Sequence, residues 1–169
     1  MAQESDLRDD AQGASAARDK YERVLDLMRQ AGGVLVAYSG GVDSSLLLFA
    51  AKEALGERAM AAIGRSPSYP AREHLAAAEL ADKIGVRVRA LETPELDDPG
   101  YNQNPPDRSY VCKSTLFTAL SAVAREEGLS VVVEGSNADD QNDYRPGMKA
   151  ARDLGVRAPF VEVGLSKAE

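Results

Sequence analysis

An unbroken apolar run, Val34-Leu35-Val36-Ala37-Tyr38, followed at once by Ser39-Gly40-Gly41, is the feature that most restricts how this chain can fold. A strand with one wet face alternates apolar and polar residues, whereas a strand covered on both faces need not. The run therefore reads as an interior strand of a parallel sheet, and each parallel strand must be followed by a long, usually helical, crossover. The rest of the sequence meets that requirement. Helices are expected over 44–55, 71–84 and 113–127, with a weaker one over 143–154 closed by Gly155. Strands are expected over 59–63, 86–91, 131–133 and 158–163. Tyr21, Val24, Leu25 and Met28 recur at helical spacing ahead of Gly32-Gly33, which marks a first amphipathic helix and its stop. Strands alternating with helices at this spacing predict an α/β fold, a doubly wound parallel sheet with helices on both faces and right-handed crossovers. Ligands in such sheets bind beyond the carboxyl ends of the strands.

A length of 169 residues, 44% hydrophobic and 28% charged, suits one globular domain, read as residues 18–169. Residues 1–17, rich in Ala, Ser, Asp and Gln, are expected to be a disordered lead-in. The net charge of -7 and pI near 4.8 argue against broad electrostatic attraction to nucleic acid or an anionic membrane. The single cysteine, Cys112, permits no internal disulfide and suits a reducing compartment, so a cytoplasmic location is expected. The N-terminus has neither the basic start nor the apolar run of a signal peptide.

The segment Ser39-Gly40-Gly41-Val42-Asp43-Ser44 sits between the most buried strand and the next helix, where a ligand is expected on topology alone. Two glycines let backbone N–H groups reach phosphate oxygens, Ser39 and Ser44 add hydroxyls, and the helix N-terminus adds partial positive charge. Asp43 would repel a bare phosphate, so its role is to hold Mg²⁺ or to cap the helix. With each fixed residue at roughly 7% usage, the pattern arises by chance in about one chain of this length in several thousand. It lacks the Gly-Lys-Ser/Thr of a Walker A loop and the spacing of the dinucleotide fingerprint.

The loop resembles the PP-loop of the ATP pyrophosphatases, whose fold is that of the adenine nucleotide alpha hydrolases. Three further segments, Asn104-Pro105-Pro106-Asp107-Arg108-Ser109-Tyr110-Val111-Cys112-Lys113, Glu134-Gly135-Ser136-Asn137-Ala138-Asp139-Asp140 and Asp143-Tyr144-Arg145-Pro146-Gly147, extend the likeness over about residues 21–169. Together the four motifs resemble the LarE family of ATP-dependent sulfur transferases, which build the nickel-pincer cofactor of lactate racemase. The resemblance implies ATP and Mg²⁺ as cofactors and pyridinium-3,5-biscarboxylic acid mononucleotide as a small-molecule substrate. It implies adenylation of a substrate carboxylate with release of pyrophosphate, then sulfur insertion. Nucleic-acid and membrane partners are not expected, and a homo-oligomer is. Asp43 and Ser44 are the expected catalytic residues, Asp43 the metal ligand, and Ser39, Gly40, Gly41, Asp43, Ser44 and Gly135 the ATP-binding set.

Arg108, Lys113, Ser136, Asn137, Asp140 and Arg145 are candidate contacts to substrate or phosphate, the arginines because guanidinium grips such groups bidentately. Each has a plainer reading: Gly135 to Asn137 as a polar turn, Asp139, Asp140 and Asp143 as the acidic first turn of a helix, Lys113 and the arginines as solvated side chains. Asp140 is read as a metal or ribose contact. Cys112 is given no sulfur-carrying role: family members often carry Arg-Cys-Tyr-x-Cys-Lys here, and this chain has Ser109 in the first cysteine place. His74, without a companion cysteine or histidine, is read as a solvated helix residue. Other readings stay open: a PP-loop enzyme acting on a tRNA base or an amidation target, or a non-catalytic nucleotide-binding module. At the end of the sequence, Ser166-x-x-Glu169 has the form of a capping box that would open a helix. It suggests a chain truncated after Glu169, and the resemblance puts the sulfur donor in a region beyond it.

Overall fold

The computed structural model describes residues 2–65, 71–92, 108–142 and 146–169. Strand β1 (Val34–Ala37) lies in the interior of a four-stranded sheet of order β3-β2-β1-β4. Its neighbours are β2 (Ala59–Arg65) and β4 (Val131–Glu134), with β3 (Arg87–Glu92) at the far edge, and all pairings are parallel. Burial of β1 on both sides explains the absence of alternation. Val34 and Val36 enter one apolar layer with Val24, Leu25 and Met28 of α1 (Ala2–Ala31) and Leu47, Leu48 and Ala51 of α2 (Val42–Leu55). Ala77 and Ala81 of α3 (Ala71–Ile84) complete that face. Leu35 points the other way, toward Met60, Ala62 and Val132 and toward Phe117, Leu120 and Val123 of α4 (Arg108–Glu126). Ala150 and Ala151 of α5 (Pro146–Asp153) join this second layer. Phe117 and Phe160 are fully buried, one in each layer, and truncating either to Ala costs on the order of 3–5 kcal/mol.

The chain order carries the functional consequence. From β1 the chain steps outward through α2 to β2 and through α3 to β3, and after α4 it returns to β4 on the other side of β1. The order therefore reverses between β1 and β4, and their ends are level, because Ala37 pairs with Glu134. The loops leaving both strands flank one crevice, the place where open α/β sheets bind ligands.

Two expectations fail. Residues 158–163 are helical, not a strand: α6 (Pro159–Val163) starts with Pro159 and ends at Gly164, whose φ of 72° is left-handed. Proline has no N–H for a sheet ladder but suits the first turn of a helix, so the chain pairs with β4 only by a bridge just before the segment, between Arg157 and Val133, and Phe160 and Val163 pack into the core instead. The first helix also begins at Ala2, covering most of the lead-in expected to be disordered. That stretch has no proline and several good helix formers, and extension of an existing helix costs little once its anchored half has formed. The Ser166 N–H and hydroxyl both donate to Glu169 Oε2, at 3.0 and 2.9 Å, which forms one half of the expected capping box. Among the described residues no helix is long and apolar enough to cross a membrane.

Candidate active site

Backbone geometry at the end of β1 separates the roles of the two loop glycines. Gly40 has φ +81°, and a Cβ there would lie 2.7 Å from Ala77 Cβ, so both conformation and packing against α3 exclude a side chain. Gly41 has an ordinary extended backbone (φ -72°, ψ 165°), and the nearest atom to a Cβ there is Ser39 Oγ at 3.5 Å. Folding does not demand glycine at 41, whereas close approach of a ligand would. Gly41 is the N-cap of α2, and no side chain caps that end, so the positive end of the helix faces the crevice without a protein partner.

The serine hydroxyls brace the loop. Ser44 Oγ donates to the Gly41 carbonyl at 3.0 Å and stands 3.0 Å from Ser39 Oγ, which accepts from the Gly41 N–H at 3.3 Å. With the Ser44 proton directed to Gly41, Ser39 is the donor between the two hydroxyls. Ser45 also donates to the Gly41 carbonyl, at 2.8 Å. The loop is thus held in shape before any ligand arrives, and backbone N–H groups are the principal donors left for an anion.

The loop after β4 closes the other side. A Cβ on Gly135 would lie 3.0 Å from Ser44 N and 3.1 Å from the Asp43 carbonyl carbon, so glycine lets this loop lie directly against the first turn of α2. Asn137, 2% exposed, donates from Nδ2 to Asp43 Oδ2 at 3.0 Å, while its Oδ1 accepts from the Asp139 N–H at 3.1 Å. Its own N–H donates to Asp140 Oδ2 at 3.0 Å. The Lys167 N–H donates to Asp139 Oδ2 at 2.7 Å, and Ala138 donates to the Leu165 carbonyl, which ties this loop to the end of α6.

The crevice is a cavity of about 230 Å³. Ser39, Gly41, Asp43, Ser44, Gly135, Ser136, Asp140 and Lys113 all line it, so most of the residues singled out from sequence converge there. Three of the predicted residues are engaged by the protein itself. Asn137 turns inward, and with Nδ2 on Asp43 and Oδ1 on the Asp139 N–H it braces Asp43. Gly40 packs against α3. Asp43 does not cap α2, because its Oδ2 is engaged by Asn137. Arg145 lies outside the described residues, as does the Arg108 side chain, although Arg108 opens α4. Asp139 and Asp140 open a 3₁₀ turn, Ala138–Asn142, and Asp143 lies outside the described residues. Cys112 is half-buried within α4, and His74 is half-buried on α3 rather than solvated. Glu134 has no place among the residues chosen from sequence, yet it is buried and lines the cavity. The available signal was a charged residue ending an apolar strand at the carboxyl edge of the sheet.

Asp43, Glu134 and Asp140 give this cavity hard oxygen donors, but among the described residues no three acidic, histidine or cysteine side chains come close enough to form a complete metal cage. That fits Mg²⁺, which is usually held by one or two carboxylates, with phosphate oxygens and water supplying the rest.

No family model matches the chain. It is 34% identical over 137 residues to a pyridinium-3,5-bisthiocarboxylic acid mononucleotide synthase of Lactiplantibacillus plantarum, covering 80% of this chain and 50% of the relative. Over the matched part the chain is a homologue of that synthase. A protein of Synechocystis sp. is 39% identical over 150 residues, covering 89% of this chain and 56% of that one. The chain thus spans about half the length of the curated relatives it matches. Its fold is also that of solved NAD synthetases. A glutamine-dependent NAD+ synthetase from Acinetobacter baumannii, solved with ADP, superposes with a TM-score of 0.70 at 20% identity over 90% of this chain and 31% of that one. An NH3-dependent NAD synthetase from Campylobacter jejuni gives 0.62 at 16% identity over 89% and 79%. At these identities the likeness concerns the fold alone, the PP-loop arrangement of parallel sheet and helices.

Proposed function

We propose that the crevice between β1 and β4 holds the phosphates of ATP and that the enzyme adenylates a carboxylate of pyridinium-3,5-biscarboxylic acid mononucleotide as the first half of sulfur insertion. The observation that carries this reading is the uncapped N-terminus of α2, with Gly41 open to a ligand, in a cavity lined also by the carboxylates of Asp43 and the buried Glu134 and Asp140 and by Lys113. An acidic wall suits a polyanion only when a cation accompanies it. Asp43 would hold Mg²⁺, with Glu134 and Asp140 beside it, and when bound the ion neutralises charge on the leaving pyrophosphate. The cavity is smaller than the roughly 300–1,000 Å³ of sites that enclose a drug-sized ligand, which suits the polyphosphate more than the whole nucleotide.

In the reaction, a substrate carboxylate oxygen forms a bond to the α-phosphorus as the bond from that phosphorus to the bridging α–β oxygen breaks, and pyrophosphate leaves with the electron pair. The backbone N–H groups at the start of α2 stabilise the charge gathering on that pyrophosphate, and Lys113 supplies a positive charge to the same region. Asn137 fixes the Asp43 carboxylate, so its geometry is set before substrate binds. Adenylation removes the negative charge and resonance that protect a carboxylate and supplies AMP as leaving group, so that a sulfur nucleophile can then displace it. Ser136, which lines the same cavity, is a proposed substrate contact. Arg108 and Arg145 remain proposed grips for substrate or phosphate, and a homo-oligomeric state in the cytoplasm remains part of the same reading.

The test is product analysis after incubation with ATP, Mg²⁺ and the pyridinium dicarboxylate mononucleotide. Pyrophosphate and adenylated substrate are expected, with AMP released when the adenylate is displaced or hydrolysed. ADP and orthophosphate as the sole products would refute the reading.

A further inference from the structure

We propose that Gly147 is a positioning residue for the Lys113 ammonium, so that the contact between α5 and α4 sets where positive charge stands in the crevice. The inference rests on reading the crevice as the polyphosphate site.

Gly147 is the second residue of α5, and its φ is not in the left-handed region, so the backbone does not require glycine there. A helix would be better served by Ala. Space is the reason for glycine: a Cβ at 147 would lie 3.1 Å from Lys113 Cγ, 3.5 Å from Ser109 Oγ and 3.8 Å from Lys113 Cε. The first distance is tighter than nine in ten Cβ contacts in proteins, so the stem would have to give by a few tenths of an ångström. The lysine stem therefore passes directly over the backbone of α5, where any side chain would push it aside.

Its other end is placed too. Lys113 Nζ stands 5.2 Å from the ring centroid of Phe117, one helical turn along α4. Phe117 is fully buried, so this ring is a fixed surface. The arrangement has the geometry of a cation–π contact. Among the described residues no carboxylate pairs with the ammonium, although Asp43, Glu134 and Asp140 line the same cavity. A free lysine side chain samples many rotamers and loses that freedom when it grips a ligand. Here Gly147 along the stem and Phe117 at the head remove part of that freedom in advance.

The experiment is calorimetric titration with ATP·Mg²⁺ of four proteins: wild type, Gly147→Ala, Lys113→Ala and the double variant, with thermal melting of each. We expect Gly147→Ala to weaken binding about fivefold to tenfold without lowering Tm, and Lys113→Ala to weaken it about tenfold or more. In the Lys113→Ala background, where no stem remains to be displaced, Gly147→Ala should add nothing. Phe117→Leu, which removes the ring but keeps an apolar side chain, should show the same non-additivity with Lys113→Ala. An equal loss from Gly147→Ala with and without the lysine stem, or no loss in either, would overturn the proposal. Absence of ATP binding by the wild type would instead refute the polyphosphate reading, and the proposal would fall with it.

Discussion

The side-chain amide of Asn137 donates to Asp43 Oδ2 at 3.0 Å, joining the loop after β4 to the first turn of α2, 94 positions away in the chain. With Asn137 almost fully buried and Asp43 lining the cavity, the bond fixes the carboxylate proposed to hold the metal. Asn137→Ala leaves Asp43 in place but removes its brace, and should weaken ATP·Mg²⁺ binding by about 1–2 kcal/mol, roughly fivefold to thirtyfold. Asn137→Asp should do more harm, because it sets a second carboxylate against Asp43 where a donor stood. Calorimetric titration measures both, and unchanged affinity in the two variants would show that the bond is structural only.

The two loop glycines should respond differently. Gly40→Ala forces a side chain into a left-handed residue and against Ala77, so it should cost about 1–2 kcal/mol or more of stability, visible as a lowered Tm. Gly41→Val should leave Tm nearly unchanged, because its backbone is ordinary and its surroundings are open, yet it should weaken ATP binding. Asp43→Asn should also weaken ATP·Mg²⁺ binding by reducing metal affinity. A Gly41→Val protein that melts early and binds normally would reverse the assignment.

Cys112, half-buried in α4, should be dispensable for nucleotide binding and should keep its sulfur. Cys112→Ser should bind ATP like the wild type, and intact-protein mass spectrometry during turnover should show an unchanged mass. Loss of the mass of H₂S, which marks conversion to dehydroalanine, would contradict this.

Glu169 should titrate well below an ordinary glutamate. Hydrogen bonds from Lys20, at 2.6 and 2.7 Å, and then from the Ser166 N–H and hydroxyl hold its carboxyl down at about 2. The folded pKa lies below the ordinary value of 4.5, so the ionised carboxylate contributes stability above about pH 4.5 that is lost as pH falls toward 2. The site is exposed and the contribution small. Carboxyl-carbon NMR should give a midpoint near 2 in the wild type and a return toward 4.5 in Lys20→Ala.

What could be read from sequence followed from what each residue reports on. The run from Val34 to Tyr38 betrays its strand because burial on both faces removes alternation, and α3 falls at the expected 71–84 because its apolar spacing and Gly85 are local signals. The approach of the β4 loop to the PP-loop could also be anticipated, because topology alone places both at one edge. Residues 158–163 misled because Phe160, Val161 and Val163 favour strands, and Pro159 outweighs them only through the ladder bond it cannot make. The roles of Asn137 and Gly147 were beyond local reading. Each depends on a partner distant in the chain, Asp43 for one and Lys113 for the other, and neither distance follows from spacing. Glu134 is expected only as the first residue of the loop after the strand at 131–133; in the structure it ends β4, level with Ala37, and its buried carboxylate lines the crevice.

The most direct test is a crystal structure of this chain with Mg²⁺ and an ATP analogue that cannot be cleaved between the α and β phosphates. The β and γ phosphates should lie on the N-terminus of α2, within hydrogen-bond reach of the backbone from Gly41 to Ser44, with the metal against Asp43. Phosphates bound elsewhere on the molecule, or an analogue present with the loop from Ser39 to Ser44 untouched, would contradict it.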